Sequence, residues 1–232
     1  MVRFVTFGLL IVLPTLGTET VNFDRLLPGA MPPFWTATAT NGGAAPRWEV
    51  RRDSHAPTRQ NVLALVSPGA SESSFPLAIY DHSIFADGDL SVKFRIEGGR
   101  KAKSAGIVWR YQDQNNYYLL SFSADENRIV LYRVQDGQIR PIPIVGAKPG
   151  QVGVKHEIKT GQWYITRVTF QGSRVRVSFG NRRLFDADDA GIQVPGKTGL
   201  WTRAGTLAEF DDYRLGRKAN FTRSELSRFF RR

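Results

Sequence analysis

Apolar and polar residues follow a strand-like pattern along most of the chain between roughly residue 62 and residue 215. In Asp89–Ile96 every second residue is apolar, which is typical of a strand with one buried face and one solvated face. Alternation or a short apolar run recurs in nine further segments: Asn61–Val66, Pro76–Tyr80, Ile107–Tyr111, Tyr117–Ser123, Arg128–Val134, Gln162–Phe170, Arg174–Phe179, Gly199–Arg203 and Ala208–Leu215. The pattern therefore predicts an all-β protein.

Turn-forming residues separate these segments and predict hairpins. Asp136 and Gly137 stand between two β-rich arms, and both residue types tolerate the positive φ that a two-residue hairpin turn requires. Pro141 and Pro143 cannot donate backbone hydrogen bonds, so the second arm is predicted to be an edge strand. Many short strands with frequent turns indicate a sandwich or a barrel, and the pattern alone does not distinguish the two.

The first part of the chain differs from this pattern. A basic start, the apolar run Phe4–Leu13 and the small residues that follow predict a secretory signal peptide over residues 1–17. Residues 18–47 carry frequent proline and glycine and are expected to be mostly irregular, with Trp35 anchoring a long loop over the strands. The protein is therefore expected to be exported, to the periplasm or to the cell exterior.

The last part of the chain also stands apart. Thr222 and Glu225 have the capping-box spacing, which predicts a short amphipathic helix within a basic tail over residues 217–232. One jelly-roll sandwich domain is expected over residues 18–216. Residues 217–232 include six basic residues and one acidic residue, so the tail carries +5 of the net charge of +11.

The charge and the cysteine count narrow the function classes. The remaining positive charges are scattered among acidic residues and form no stripe, so nucleic-acid binding is not expected. The basic tail is instead a candidate for contact with an anionic cell surface. The chain has no cysteine, so no disulfide framework exists, and an exported protein of this kind indicates a bacterial source. The oligomeric state is left open.

Few residues suggest catalysis or metal binding. The three histidines are far apart and form no zinc pattern. Glu209 and Asp211 lie on one face of a predicted strand and are weak candidates for a carboxylate pair that hydrolyses glycosidic bonds. Asp24 and Asp212 are weak candidates for a structural calcium site, since the first and last strands of jelly rolls often lie together. No other cofactor is expected.

Aromatic and arginine side chains suit the recognition of sugars. Aromatic faces stack on the C–H surfaces of sugar rings, and guanidinium groups donate to hydroxyl or carboxylate oxygens. Strand alternation places Trp109 and Arg110 on opposite faces, so only one of the two is expected to line a given surface. The candidate ligand-binding residues are Trp109, Arg110, Tyr118, Arg133, Trp201 and Arg203.

Several segments resemble a known bacterial exported family. They include Pro32-Pro33-Phe34-Trp35, Gly106-Ile107-Val108-Trp109-Arg110-Tyr111, Asn115-Asn116-Tyr117-Tyr118, Gly199-Leu200-Trp201-Thr202 and Phe210-Asp211-Asp212-Tyr213. They resemble the concanavalin A-like lectin/glucanase proteins related to the 3-keto-disaccharide hydrolase domain, which are often labelled glycoside hydrolases. The resemblance covers about residues 20–215, although Ser121-Phe122-Ser123-Ala124 departs from the family pattern, which has an arginine in this segment.

The resemblance implies a concanavalin-like two-sheet sandwich whose concave sheet holds a saccharide. The first hypothesis for function is an exported carbohydrate-binding protein without strong catalysis. The first alternative is a glycoside hydrolase that acts on (3-keto-)disaccharides or related glycans. The second alternative is a structural envelope protein that uses its basic tail to contact a partner.

Overall fold

The computed structural model describes residues 18–42, 44–68, 74–100 and 102–216, and all regular structure in these ranges is β-strand. The first eight strands are β1 (Thr18–Val21), β2 (Trp35–Thr40), β3 (Arg47–Arg52), β4 (Asn61–Ser67), β5 (Phe75–Phe85), β6 (Gly88–Gly99), β7 (Ser104–Asp113) and β8 (Asn116–Ser123). The remaining eight are β9 (Arg128–Gln135), β10 (Gln138–Pro141), β11 (Val154–Lys155), β12 (Trp163–Gln171), β13 (Arg174–Phe179), β14 (Arg182–Asp188), β15 (Gly196–Thr202) and β16 (Thr206–Gly216). The predicted signal peptide and the predicted C-terminal helix lie outside the described residues.

The strands form two antiparallel sheets of eight strands each. Sheet I has the order β14-β13-β12-β6-β16-β4-β3, with β1 paired to β16. Sheet II has the order β10-β9-β8-β7-β15-β5-β2, with β11 paired to β9. The all-β, two-sheet prediction is confirmed. The hairpin at Asp136-Gly137 is confirmed too, since both residues have positive φ, and β10 lies at the sheet edge as its prolines predict.

The main core lies between the two sheets. It is formed by every second residue of the strands, whose side chains point toward the opposite sheet. Phe94 on β6 of sheet I meets Phe122 on β8 of sheet II, with 4.5 Å between ring centroids. Trp109 on β7 packs in the same way on Phe170 of β12, at 5.7 Å. All four side chains are at most 1% exposed. Burial of each such ring contributes on the order of 2–3 kcal/mol, so these contacts hold the sheets together.

Residues 18–47 are more regular than the sequence pattern indicates. Trp35 does not anchor a loop but begins β2, which pairs with β5 along six residues. Its indole is 6% exposed and lies 5.2 Å from the ring of Tyr80 and 5.1 Å from that of Tyr213. Most of residues 18–47 lie outside strands, as predicted, but the prediction missed β2, because its alternation uses alanine and threonine, whose weak hydrophobic contrast resembles a loop.

Sheet II also carries apolar residues on its outer face, the face that points away from sheet I. A second cluster of buried side chains lies there, formed by Leu77, Ile79, Val108, Tyr117, Leu119, Val134 and Trp201. Thr40 Oγ1 on β2 lies 2.6 Å from Tyr117 Oη on β8, although three strands separate β2 from β8 in the sheet. The outer face must therefore be concave. Two neighbouring contacts support this bridge, from Thr38 to Gln114 and from Asn41 to Asn115.

Candidate functional site in the concave cavity

The bridge between β2 and β8 covers part of the concave face and leaves another part open. The open part contains a cavity of about 210 Å³. We call it the concave cavity. Its lining consists of Phe75, Ser104, Leu119, Ser121, Ser123, Glu126, Arg128, Val130, Tyr132, Ile139, Trp201 and Arg203. Its volume is below the roughly 300–1,000 Å³ of pockets for drug-sized ligands, so it suits a smaller ligand.

Serine hydroxyls line the floor of the cavity. Ser121 and Ser123 are the outward residues of β8, and Ser104 begins the neighbouring strand β7. The three side chains belong to residues that are at most 7% exposed. Ser123 Oγ accepts a hydrogen bond from the backbone of Glu126. Within the described part of the chain, the hydroxyls of Ser104 and Ser121 make no hydrogen bond, which leaves them available to a polar ligand.

A glycine leaves space beside these serines. Gly106 on β7 lies in register between Ser121 on β8 and Trp201 on β15. A Cβ atom on Gly106 would approach the carbonyl oxygen of Leu120 to 2.4 Å, so the close approach of β7 and β8 requires glycine. Because Gly106 has no side chain, the cavity is deeper between Ser121 and Trp201.

Aromatic rings form the walls. Trp201 and Phe75 lie on adjacent strands with 5.6 Å between ring centroids. Tyr132 lies on β9, at the other side of the serine floor, and is half-buried. Rings on two sides of a hydroxyl-lined floor match the chemistry of a pyranose, whose C–H faces are apolar and whose edges carry hydroxyl groups.

Charged groups stand at the rim. Arg203 Nη1 lies 3.5 Å from Glu126 Oε1, and both side chains are about half exposed, at 52% and 50%. Arg128 Nη1 donates to the carbonyl oxygen of Val152 at 2.5 Å. Burial raises the pKa of the Tyr132 hydroxyl and Glu126 raises it further, whereas Arg203 and Arg128 lower it. These three charged residues and Tyr132 all line the concave cavity.

Two of the six predicted ligand-binding residues, Trp201 and Arg203, line the concave cavity. Trp109 and Tyr118 lie instead between the sheets, where they are fully buried and their rings stack at 5.5 Å. Their participation in ligand binding stays a prediction, and their positions give them a role in the core.

Arg110 lies on the inner side of sheet II, beside Trp109. Its φ of 48° interrupts the alternation of β7, and its guanidinium lies 5.7 Å from the ring of Phe170 in the core. The expectation that Trp109 and Arg110 point to opposite faces is therefore wrong. Arg110 is 2% exposed and donates to the carbonyl oxygens of Ala86, Gly172 and Ile192 at 2.7–2.8 Å, so it ties three loops together.

Arg133 is also directed away from the concave cavity. Its Nη1 donates to both carboxylate oxygens of Asp189, at 2.7 and 2.6 Å. Tyr118 Oη donates to Asp189 Oδ1 at 2.5 Å and accepts from the backbone of Ile192 at 3.0 Å. The structure therefore does not bring Arg110, Arg133 and Arg203 to one surface. Of these three arginines, only Arg203 lines the cavity.

The two candidate catalytic carboxylates lie on the outer face of sheet I, on the opposite side of the sandwich from the concave cavity. Glu209 accepts a hydrogen bond from Arg95, which also donates to Asp53 at 2.7 Å. Burial raises the pKa of Glu209, and Arg95 opposes this. Asp211 accepts from the backbone and hydroxyl of Thr58 at 3.1 and 3.0 Å. Both carboxylates thus have structural partners, and their catalytic role stays a prediction.

The two candidate calcium ligands have separate partners. Asp24 Oδ1 accepts from Thr58 Oγ1 at 2.9 Å, and Asp212 Oδ2 lies 2.6 Å from Lys93 Nζ. Thr58 links Asp24 to Asp211, not to Asp212. No group of three or more acidic or histidine side chains suitable for a metal ion occurs among the described residues. Calcium binding by Asp24 and Asp212 stays a prediction that this arrangement does not favour.

Sequence reasoning missed most of the cavity lining. Ser121 and Ser123 alternate with the core residues Leu120 and Phe122, so their shared face could have been predicted from β8 alone. The cavity residues on neighbouring strands could not be predicted, because the pairing of strands far apart in sequence decides which residues lie side by side. The cavity residues that were not predicted are Phe75, Ser104, Leu119, Ser121, Ser123, Glu126, Arg128, Val130, Tyr132 and Ile139.

No family model and no curated protein matches the sequence. Solved structures do match the fold. Carbohydrate-binding module CBM66 from Bacillus subtilis aligns with a TM-score of 0.58 and 19% identity, over 78% of this chain and 94% of that one. A β-glucanase from Bacillus licheniformis aligns with a TM-score of 0.54 and 12% identity, over 88% and 100%. The fold is a concanavalin-like, glucanase-type β-sandwich.

A third structure, a Bacillus subtilis protein of unknown function with a galectin-like fold, aligns with a TM-score of 0.52 and 12% identity, over 86% of this chain and 98% of that one. At these identities the likeness concerns the fold alone. Within the described ranges of the chain, no helix has the length and apolar character needed to cross a bilayer.

Proposed function

We propose that this protein binds carbohydrate, and that it holds a small saccharide in the concave cavity. The observation that carries the proposal is the composition of the cavity. The hydroxyls of Ser104 and Ser121, which make no hydrogen bond among the described residues, line the cavity together with the aromatic rings of Trp201 and Tyr132. A sugar can exchange hydrogen bonds with both serine hydroxyls while its C–H faces contact the two rings.

The fold supports this proposal in a general way. Both a carbohydrate-binding module and a glucanase share the sandwich architecture, and fold alone does not decide between binding and hydrolysis. The lining favours binding. Most glycoside hydrolases use two carboxylates on either side of the scissile bond, whereas the described lining of the concave cavity contains one, Glu126.

A cavity-filling substitution tests the proposal. Ser121→Met would fill the floor next to Gly106 without altering the main core. Ser91→Met is the matched control, because Ser91 also points outward from a central strand but lies on sheet I. We expect the unmodified protein to bind one or more glycans on an array, and calorimetry to show at least about tenfold weaker binding for Ser121→Met. The Ser91→Met protein should bind normally.

Two results would remove the proposal. One is an unmodified, folded protein that binds no glycan on an array that spans bacterial, plant and animal glycans. The other is equal affinity in Ser121→Met and the unmodified protein, which would locate any binding elsewhere. Thermal unfolding of both variants shows that they are folded before the affinities are compared.

Hydrolysis of (3-keto-)disaccharides, which the sequence resemblance implies, is a separate proposal. Reducing-sugar release from such disaccharides, compared between the unmodified protein and a Glu126→Gln variant, tests whether the single carboxylate of the cavity acts in catalysis. Export to the periplasm or exterior, where polysaccharides are encountered, also stays a proposal. Cell fractionation of the full-length chain with and without residues 1–17 tests it.

A further inference from the structure

The charges at the rim indicate which class of saccharide the cavity accepts. We propose that the concave cavity binds an acidic saccharide, whose negatively charged substituent takes the place of the Glu126 carboxylate beside Arg203. This inference rests on the proposed saccharide binding and names its ligand class. Three observations support it: the geometry of the Arg203–Glu126 ion pair, the presence of Arg128 in the same lining, and the position of Tyr132.

The ion pair between Arg203 and Glu126 is suited to exchange. Its nitrogen–oxygen distance of 3.5 Å exceeds that of a well-formed charged hydrogen bond, which is about 2.7–2.9 Å. Both side chains are about half exposed, and exposed pairs of this kind contribute little to stability. An anionic ligand can therefore replace Glu126 as the partner of Arg203 at a small cost in free energy. The Glu126 carboxylate thus occupies the position that the acidic group of the ligand would take.

A second positive charge lies in the same lining. Among the described residues, the Arg128 guanidinium makes one hydrogen bond, to the carbonyl oxygen of Val152. This acceptor is neutral. No carboxylate pairs with Arg128 within the described part of the chain. The lining thus contains two guanidinium groups and one carboxylate, an excess that favours an anion.

Tyr132 connects these charges to the sugar-binding floor. Tyr132, Glu126, Arg203 and Arg128 line the same cavity, so the three charged residues belong to the site that this aromatic wall bounds. Tyr132 also belongs to the cavity lining that contains Ser121. A sugar ring that rests between the aromatic walls would place a substituent at its edge within reach of the two arginines.

The test uses matched pairs of neutral and acidic glycans. An array should contain uronic acid, sialic acid and sulfated glycans next to their neutral counterparts, so that carboxylate and sulfate substituents are separated. We expect acidic members to bind about tenfold more tightly than their neutral partners, as for one additional charged hydrogen-bonded contact. Calorimetry on the strongest pair then gives affinities for the variants.

Three variants identify the groups that recognise the charge. Arg203→Gln should remove most of the preference for the acidic glycan, because it removes the guanidinium that now lies beside Glu126. Glu126→Gln should tighten binding of the acidic glycan by about three- to tenfold, because the internal competitor is removed. Arg214→Gln is the matched control, since Arg214 is equally exposed, at 52%, and lies on sheet I.

The outcomes separate this inference from the proposed function. Equal binding of neutral and acidic glycans, or weaker acidic-glycan binding in Glu126→Gln, would overturn the inference and leave saccharide binding in place. An equal loss in Arg203→Gln and Arg214→Gln would indicate general attraction to the basic protein and would also overturn it. Absence of binding to every glycan would remove both proposals.

Discussion

Thr40 Oγ1 and Tyr117 Oη lie 2.6 Å apart in a buried hydrogen bond that joins two strands across the concave face of sheet II. Because these strands are separated by three others, the bond closes one part of the face and leaves the concave cavity as the open part. Burial raises the pKa of Tyr117 well above its ordinary range, so the phenol stays protonated and can donate at any physiological pH.

Removal of this bond should destabilise the protein. Tyr117→Phe leaves the Thr40 hydroxyl buried and unpaired, which should lower the free energy of unfolding by about 1–3 kcal/mol. Thr40→Val and the double variant complete a cycle, in which we expect a coupling energy on the order of 1 kcal/mol. Urea denaturation measures all four proteins. Additive effects of the two substitutions would show that the bridge does not form in solution.

Arg110 should be required for stability and not directly for ligand binding. Arg110→Leu leaves the carbonyl oxygens of Ala86, Gly172 and Ile192 without their donor, and we expect a loss on the order of 3 kcal/mol or more. Arg110→Lys should not restore stability, because a single ammonium cannot reach all three oxygens. Thermal unfolding tests this, with Arg203→Ala as an exposed control that should change stability by less than about 0.5 kcal/mol. A stable Arg110→Leu protein would contradict the structural role.

Asp189 should make stability depend on pH in the acid range. Burial alone would raise the pKa of Asp189, but bonds from Tyr118, Gly191 and Arg133 hold it below its ordinary value. The folded pKa is thus lower than the unfolded one, so its contribution is complete above about pH 3.9 and is lost as the pH falls through the folded pKa.

An Asp189→Asn variant measures this contribution. We expect it to be less stable than the unmodified protein at pH 6, by about 1–3 kcal/mol, since charged hydrogen bonds are lost. The difference should be smaller at pH 3 than at pH 6, because pH 3 lies below the pKa of the unfolded carboxylate, about 3.9, and the unfolded state binds the proton more tightly than the folded state. Urea denaturation at both pH values is the measurement. A difference that stays constant with pH would show that Asp189 does not titrate as described.

Asp211 is expected to hold the loop before β4 in place. Asp211→Ala removes the acceptor of the Thr58 backbone and hydroxyl and should cost about 1–3 kcal/mol. Hydrogen exchange at the Thr58 amide should increase. Glu49→Ala serves as control, because the pairs of Glu49 with Arg47 and Arg51 are long, at 3.9 Å, and should contribute little. Unchanged Thr58 exchange in Asp211→Ala would remove the anchoring role.

The sequence predicted the strands of the core more reliably than it predicted the site. Alternation in Asp89–Ile96 identified the buried face of β6, because a two-residue period directly reflects the geometry of a strand. The same rule misplaced Arg110, because one residue with positive φ interrupts the alternation and no pattern of hydrophobicity reveals it. Trp201 and Arg203 were predicted as binding residues, whereas Ser104 and Ser121 were not.

By itself the sequence determined that the chain is all-β and where most of its strands lie, because short-range alternation and turn residues act locally on each strand. The tertiary structure decided where a ligand can enter. Thr40 and Tyr117 are 77 residues apart, and the curvature of sheet II brings them together. Only long-range strand pairing places Ser121, Gly106 and Trp201 in one row and directs Arg203 toward Glu126, so the cavity exists only once the sheet is assembled.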